Sequence, residues 1–124
     1  MTAGEKRISR AAKWVAMHVC RLIGARRTAD ILYVRRLEGY LSTPKVRLLH
    51  RVVSGLSGPG EIAEIGSWKG KSTVALALAI KRAGRGETVY AIDHHLGIAE
   101  DARLGTRSAH GSTWSTFLST MTPA

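Results

Sequence analysis

Glycines and carboxylates occur at the ends of two short apolar segments in the middle of the chain. Gly66 and Gly70 follow the first segment, 61–65, in which Glu64 is the last residue but one, and Asp93 follows the second. A glycine has no Cβ, so a ligand can approach its backbone closely. A carboxylate can accept hydrogen bonds from both hydroxyls of a ribose. These residue types predict a nucleoside-binding site where two neighbouring parallel strands end.

One βαβ unit is predicted to position these residues. The pattern predicts a strand at 61–65, a glycine turn, and a helix that opens at Ser72 or Thr73 and ends near Gly84 or Gly86. A second strand at 88–92 then leads to Asp93. We expect the two strands to be parallel and their connection to be right-handed.

The segments on either side of this unit are predicted to be helical. Apolar periodicity predicts helices at about 8–26, 28–38 and 44–55. Thr28 is a candidate cap for the second, and Ser42 or Thr43 before Pro44 is a start signal for the third. A last helix is predicted at about 112–121, capped by Ser112 or Thr113. The predicted fold class is therefore α/β.

Two carboxylates beside a glycine turn suit a ligand with a ribose and a positive centre but no phosphate, and S-adenosylmethionine has this profile. The segment 64–73 resembles the first motif of class I S-adenosylmethionine-dependent methyltransferases, in the variant E-x-G-x-x-x-G-x-S. The segment 90–95, with Gly97, resembles the second-strand acid of that family and its loop. The segments 38–42 and 111–118 resemble the lead-in to the domain and a later helix. The resemblance covers about residues 38–121.

The resemblance implies methyl transfer from S-adenosylmethionine to a small-molecule acceptor that the sequence does not identify. Gly66 and Gly70 would approach the methionine and ribose portions, Glu64 would orient the turn and the ammonium end, and Asp93 would hold the ribose. Ser72 and Thr73 would lie near the carboxylate. The implied cofactor-binding residues are Glu64, Gly66, Ser67, Gly70, Ser72, Thr73, Asp93 and His94.

No catalytic base and no metal ligands are assigned. His94 and His95 are adjacent, so their side chains diverge and do not easily share a metal ion. We expect both to be solvated loop histidines, although one of them beside a bound cofactor could act as a general base.

The architecture that the resemblance implies is incomplete. A basic amphipathic helical segment is expected at 1–37 and a partial Rossmann-like cofactor-binding domain at 38–124. A full sheet of this kind takes roughly 180 residues after its first strand, at about 30 per βαβ unit, whereas about 60 follow Ile65. We therefore expect a truncated methyltransferase whose unpaired sheet edges favour a homo-oligomer or a complementing chain.

The charge distribution supports an alternative function. The chain has a net charge of +10, and residues 1–56 hold 12 basic and 3 acidic residues. This half could belong to a non-catalytic interaction module that binds a membrane surface or a partner protein. Its few aromatic residues make nucleic acid a poor partner. The single cysteine indicates a reducing compartment, and we expect the cytoplasm.

Other interpretations of the glycine segment remain open. Residues 66–72 end in Gly-Lys-Ser like a phosphate-binding P-loop, but the first glycine of that motif would stand at position 65, which is Ile65. The glycines could also make only a tight turn, and Asp93 could only cap the turn after its strand. Trp68 is expected to pack on the domain rather than on a ligand.

Overall fold

The computed structural model describes residues 10–22, 25–96 and 112–122. Each helix and strand predicted from the sequence is present in these ranges, with shifted ends. In chain order the elements are α1 (Arg10–Leu22), α2 (Arg26–Arg36), α3 (Thr43–Ser54), β1 (Ile62–Ile65), α4 (Lys71–Ala83), β2 (Val89–Ile92) and α5 (Trp114–Met121).

The two strands pair in parallel, as predicted. Ile62 lies opposite Val89 and Ile65 lies opposite Ile92, so both strands end at the same edge. The N–H of Gly66 extends the ladder by donating to the carbonyl of Ile92 at 2.9 Å. The βαβ unit and the helices around it confirm the α/β class and agree with an incomplete Rossmann-like methyltransferase fold.

Helix α4 is the element on which the described core is built. Its Ala75 is fully buried against Val34 of α2 and Val46 of α3. Further along α4, a second cluster of buried and half-buried side chains joins α3 to both strands. This cluster contains Val53, Ala79, Ile80, Ile62 and Val89. The first cluster contains residues from both sides of residue 37, and the division into two segments at that position stays a prediction.

The opposite face of the sheet is exposed in the described part of the chain. Ile65 is 87% exposed, and Tyr90 and Ile92 are each more than half exposed. Because side chains alternate along a strand, these residues lie on the face that α4 does not cover.

Helix α1 is amphipathic in the way its sequence predicts. It packs against α2 and buries Met17, while Trp14, Val15 and Val19 remain about half exposed. Neither α1 nor any other helix in the three described ranges has the length and hydropathy needed to span a membrane.

Two predicted helix starts are wrong by a few residues. Helix α2 begins at Arg26, so Thr28 lies inside its first turn and does not cap it. Helix α4 begins directly after Gly70, which has a left-handed backbone conformation. No side chain caps the start of this helix. Ser72 and Thr73 therefore lie inside α4, and their hydroxyl groups are available for other contacts.

Two other helix boundaries are confirmed. Ser42 immediately precedes α3, and Pro44 lies in the first turn of that helix. Gly84 ends α4 in the left-handed conformation that glycine adopts without steric cost.

A buried ion pair ties α2 to the last turn of α4. Asp30 is 2% exposed, and its carboxylate accepts hydrogen bonds from Arg82 Nε at 2.5 Å and from Nη2 at 2.9 Å. Two parallel bonds of this kind fix the orientation of both groups. Arg82, which lies in the last turn of α4, thus links the two helices.

We expect Asp30→Ala to lower the free energy of unfolding by about 2–3 kcal/mol, because it leaves the half-buried guanidinium of Arg82 without its charged partner. Urea denaturation followed by circular dichroism measures the change. Arg36→Ala, on the exposed side of the same helix, is the control and should cost less than about 0.5 kcal/mol. Equal effects of the two substitutions would contradict the role given to the ion pair.

Candidate functional site

A cavity of about 790 Å³ lies at the edge where β1 and β2 end. Five of the eight residues predicted to bind a cofactor lie in its wall, and they come from the glycine loop (66–70), the start of α4 and the loop after β2. These five are Gly66, Ser67, Ser72, Asp93 and His94. The topology thus brings together most of the residues that the sequence singled out.

The Asp93 carboxylate holds the loops after the two strands together. Its Oδ2 accepts a hydrogen bond from the backbone N–H of Trp68 at 2.8 Å, and its Oδ1 accepts one from the N–H of His95 at 2.7 Å. Asp93 therefore faces the glycine loop, as predicted, and it also caps the turn after its own strand. These two hydrogen bonds are part of the fold whatever the cavity binds.

These contacts change the acidity of Asp93. Partial burial disfavours the charged form, but the N–H donors of His95 and Trp68, together with the nearby imidazoles of His95 and His94, outweigh that effect. The pKa of Asp93 is consequently lower than its ordinary value. The carboxylate is held in its ionised form, which is the form that accepts hydrogen bonds.

Glu64 lies behind the glycine loop and not in the cavity wall. Its Oε2 accepts a hydrogen bond from the Thr73 hydroxyl at 2.5 Å, which joins β1 to the first turn of α4. Neither residue lines the cavity. The two residues fix the angle between strand and helix, and direct contact of either with a ligand stays a prediction.

Gly70 also faces away from the cavity. Its φ is +84°, and a Cβ built on it would lie 2.5 Å from Met121 Cε and 3.1 Å from the ring of Phe117. The glycine therefore allows α5 to pack closely against the start of α4. Gly66 differs, because its φ is +85° and a Cβ there would meet no atom within 4 Å.

The segment just before α3 packs against the glycine loop, and the site prediction did not include it. Tyr40 stacks on Trp68 with 5.1 Å between ring centroids. Lys69 Nζ donates to Glu38 Oε1 at 2.5 Å and lies 4.5 Å from the centroid of the Trp68 ring. Lys71 Nζ donates to the carbonyl of Gly39 at 3.1 Å. The lead-in segment thus forms one wall of the site.

Trp68 packs on the domain, as expected, and it does so at a conformational cost. Its φ is +47°, a value that few residues other than glycine adopt. The bond from its N–H to Asp93 and the stacked Tyr40 ring hold it in this conformation.

The two adjacent histidines have different environments. His94 is exposed and lines the cavity, and its Nδ1 accepts a hydrogen bond from the N–H of Leu96 at 3.0 Å. His95 is 9% exposed, so the expectation that it is solvated is wrong. Its Nδ1 lies 3.0 Å from the Thr113 hydroxyl, and its ring contacts Phe117 of α5. The buried ring is a packing surface for α5.

The remaining residues of the cavity wall were not in the sequence prediction. They are Gly39, Tyr40, Leu41, Lys45, Ile65, Trp68, Lys71 and Ile92. The sequence contained a signal for Ile65 and Ile92, because each is the last residue of a strand and the site was predicted where the strands end. Gly97, which the resemblance included, lies outside the described residues. Within the described ranges no group of three or more His, Cys, Asp or Glu side chains is placed to hold a metal ion.

The close contact between Gly70 and α5 should contribute to the stability of the protein. Gly70→Ala should destabilise the protein more than Gly84→Ala, by about 1 kcal/mol or more, because only the methyl group at position 70 meets α5. Both glycines have positive φ values, so the control shares the backbone strain. Urea denaturation gives the two free energies, and equal losses would contradict close packing at Gly70.

Because the pKa of Asp93 is lowered, the free energy of unfolding should depend on pH. Because its folded pKa lies below the ordinary value of about 3.9, the ionised group stabilises the fold above about pH 4, and this contribution is lost as the pH falls through the folded pKa. We expect Asp93→Asn to cost about 1–3 kcal/mol at pH 7. The difference from wild type should shrink below about pH 4. Urea denaturation between pH 7 and pH 3 measures it, and a constant difference would contradict the assignment.

The comparison with known proteins concerns the part of the chain that carries this site. Residues 63–122 match the family model described as a methyltransferase domain. No curated protein and no solved structure matches the chain. The matched segment contains the glycine loop, α4, β2 and α5, and with them every residue that the sequence predicted to bind a cofactor. Residues 63–122 are therefore similar to a methyltransferase domain, and this match supports the resemblance to class I methyltransferases.

Proposed function

We propose that the cavity binds S-adenosylmethionine and that the domain transfers its methyl group to a small-molecule acceptor. The observation that carries this proposal is the meeting of Gly66, Ser67, Ser72, Asp93 and His94 in one cavity at the carboxyl ends of parallel strands. Open parallel sheets bind their ligands at this edge. The match to a methyltransferase domain supports the same chemistry.

The residues present fit a nucleoside ligand. The cavity volume of about 790 Å³ lies within the range of about 300–1,000 Å³ that is usual for small-molecule sites. The Ser67 hydroxyl is buried and has no hydrogen-bond partner in the described part of the chain. A Cβ at Gly66 would project into open space, so the backbone is accessible there. These features leave both a polar group and room for a ligand.

Asp93 is the residue proposed to hold the ribose. A carboxylate has about four lone-pair positions on its two oxygens. The N–H groups of Trp68 and His95 use one position on each oxygen. One position on each oxygen is left for the two ribose hydroxyls, so the structural bonds and the binding role are compatible.

The start of α4 is proposed to receive the carboxylate of the methionine portion. Lys71 and Ser72 line the cavity there, in the first turn, where helix N–H groups lack partners within the helix. The helix dipole and the Lys71 ammonium favour a negative group at this end. Burial, assisted by the charge of Arg35, lowers the pKa of Lys71, so a bound carboxylate would be a favourable partner for it. Glu64 acts indirectly, by orienting the turn through Thr73.

S-Adenosylmethionine supplies, when bound, the activated methyl group on its sulfonium. The contribution of the chain is orientation, because the fixed loops hold one ligand while an acceptor approaches in line. Tyr40, Leu41, Ile65 and Ile92 contribute apolar surface to the cavity wall. The Nδ1 lone pair of His94 already accepts a hydrogen bond from the N–H of Leu96, so it is not free to accept a proton from a substrate. We therefore assign no catalytic base to His94.

Calorimetric titration with S-adenosylhomocysteine tests the proposal. We expect binding by the folded chain, and we expect Gly66→Ala to weaken it at least tenfold, because the new methyl group occupies space at the cavity wall. A tenfold loss corresponds to about 1.4 kcal/mol.

Gly58→Ala is the matched control. Gly58 has a φ of +77° and equally open surroundings, but it does not line the cavity. Its substitution causes similar backbone strain and should leave affinity within about twofold of wild type. Absence of heat from folded wild-type protein, or equal losses in the two variants, would refute the binding site.

A further inference from the structure

A second cavity, of about 500 Å³, lies between α2 and α3. It shares no residue with the wall of the first cavity. Spacings of three and four residues place its side chains on one face of each helix. Its lining residues are Arg27 and Ile31 from α2, and Pro44, Arg47, His50 and Arg51 from α3.

The charge of this second cavity is entirely positive. Three of its six lining residues are arginines, and none is acidic. No ion pair in the described part of the chain includes Arg27, Arg47 or Arg51. Asp30 acts on His50 electrostatically, but both of its oxygens are bonded to Arg82. The three guanidinium groups therefore have no anionic partner among the described residues.

His50 provides an independent indication of a ligand. The residue is only 6% exposed, and its Nε2 has no hydrogen-bond partner in the described ranges. A buried polar atom without a partner costs about 1–3 kcal/mol, and native structures usually satisfy such atoms. Burial lowers the pKa of His50, and Arg27 and Arg82 lower it further against the opposing effect of Asp30. An anion in the cavity would reverse that balance and favour a proton on the ring.

We propose that this cavity is a binding site for a phosphate-bearing ligand, either a phosphate monoester or a diphosphate. The planar guanidinium group pairs with two phosphate oxygens at once, so arginine suits this chemistry better than lysine does. Arg27, Arg47 and Arg51 neutralise the oxygens, and His50 Nε2 gains the partner that it lacks. The site is separate from the proposed S-adenosylmethionine cavity and does not depend on it.

The test is calorimetric titration of the full chain with pyrophosphate at about 150 mM salt, where contacts between exposed charges are largely screened. We expect Arg47→Ala combined with Arg51→Ala to weaken binding at least tenfold. The double variant Arg26→Ala, Arg36→Ala is the control, since it removes the same charge from exposed positions outside the cavity. The control should bind within about twofold of wild type.

Vesicle co-sedimentation distinguishes a soluble ligand from a lipid headgroup. Phosphatidylcholine vesicles with and without phosphatidic acid are compared, using the same two double variants. Binding of pyrophosphate that depends on Arg47 and Arg51 supports a soluble ligand, and the same dependence only on phosphatidic acid supports a headgroup. Absence of both, or equal loss in the control, overturns the proposal.

Nuclear magnetic resonance of the histidine rings gives a readout that surface charge alone would not produce. On addition of the ligand that binds, we expect the His50 ring signals to shift and its pKa to rise. The signals of His94, in the wall of the other cavity, should remain unchanged. Equal shifts at both rings would contradict a site at His50.

Discussion

The carboxylate of Asp93 is the constraint on which the geometry of the methyltransferase-like domain depends. It is bonded to the backbone of the glycine loop on one side and to the turn after its own strand on the other. Two parallel strands bring their ends to one edge, but nothing in strand pairing fixes the loops beyond them. A charged acceptor shared by two N–H groups does so, and it holds Trp68 in a left-handed conformation. The residue that we propose to hold the ribose is thus also the residue that joins the two loops of the cavity wall.

Helix α4 connects the two loops of the cavity to the rest of the described chain. Its start is attached to β1 through Glu64 and Thr73, its middle is buried against α2 and α3, and its end is paired through Arg82. The glycine loop is therefore connected to a packed core through α4, and its last residue, Gly70, packs against α5. Precise positioning of a ligand requires such rigid elements behind the loop that contacts it.

The sequence was sufficient for the order of elements and for the edge at which the site lies, because apolar periodicity and glycine positions are local signals. It was sufficient for the Asp93 orientation, since strand direction follows from a βαβ connection. It was not sufficient to predict that Glu64 lies outside the cavity wall. The Glu64 side chain lies on the α4 side of the sheet, whereas that of Ile65 lies on the other side. Assigning those faces requires knowledge of which face the helix covers.

Contacts between distant segments also could not be predicted from the sequence. Lys69 and Glu38 are 31 residues apart, and their pairing depends on how α3 returns the chain to the sheet. The burial of His95 depends on α5, which packs on the ring from a later part of the chain. The three arginines of the second cavity stand on two helices, so a count of basic residues gave the charge of the region but not its concave shape.

The contact between Gly70 and α5 has a consequence for the order of folding during synthesis. The helices before β1, and the βαβ unit itself, are translated before Phe117 and Met121. The glycine turn can therefore acquire its packing against α5 only after every other described helix and strand has been synthesised.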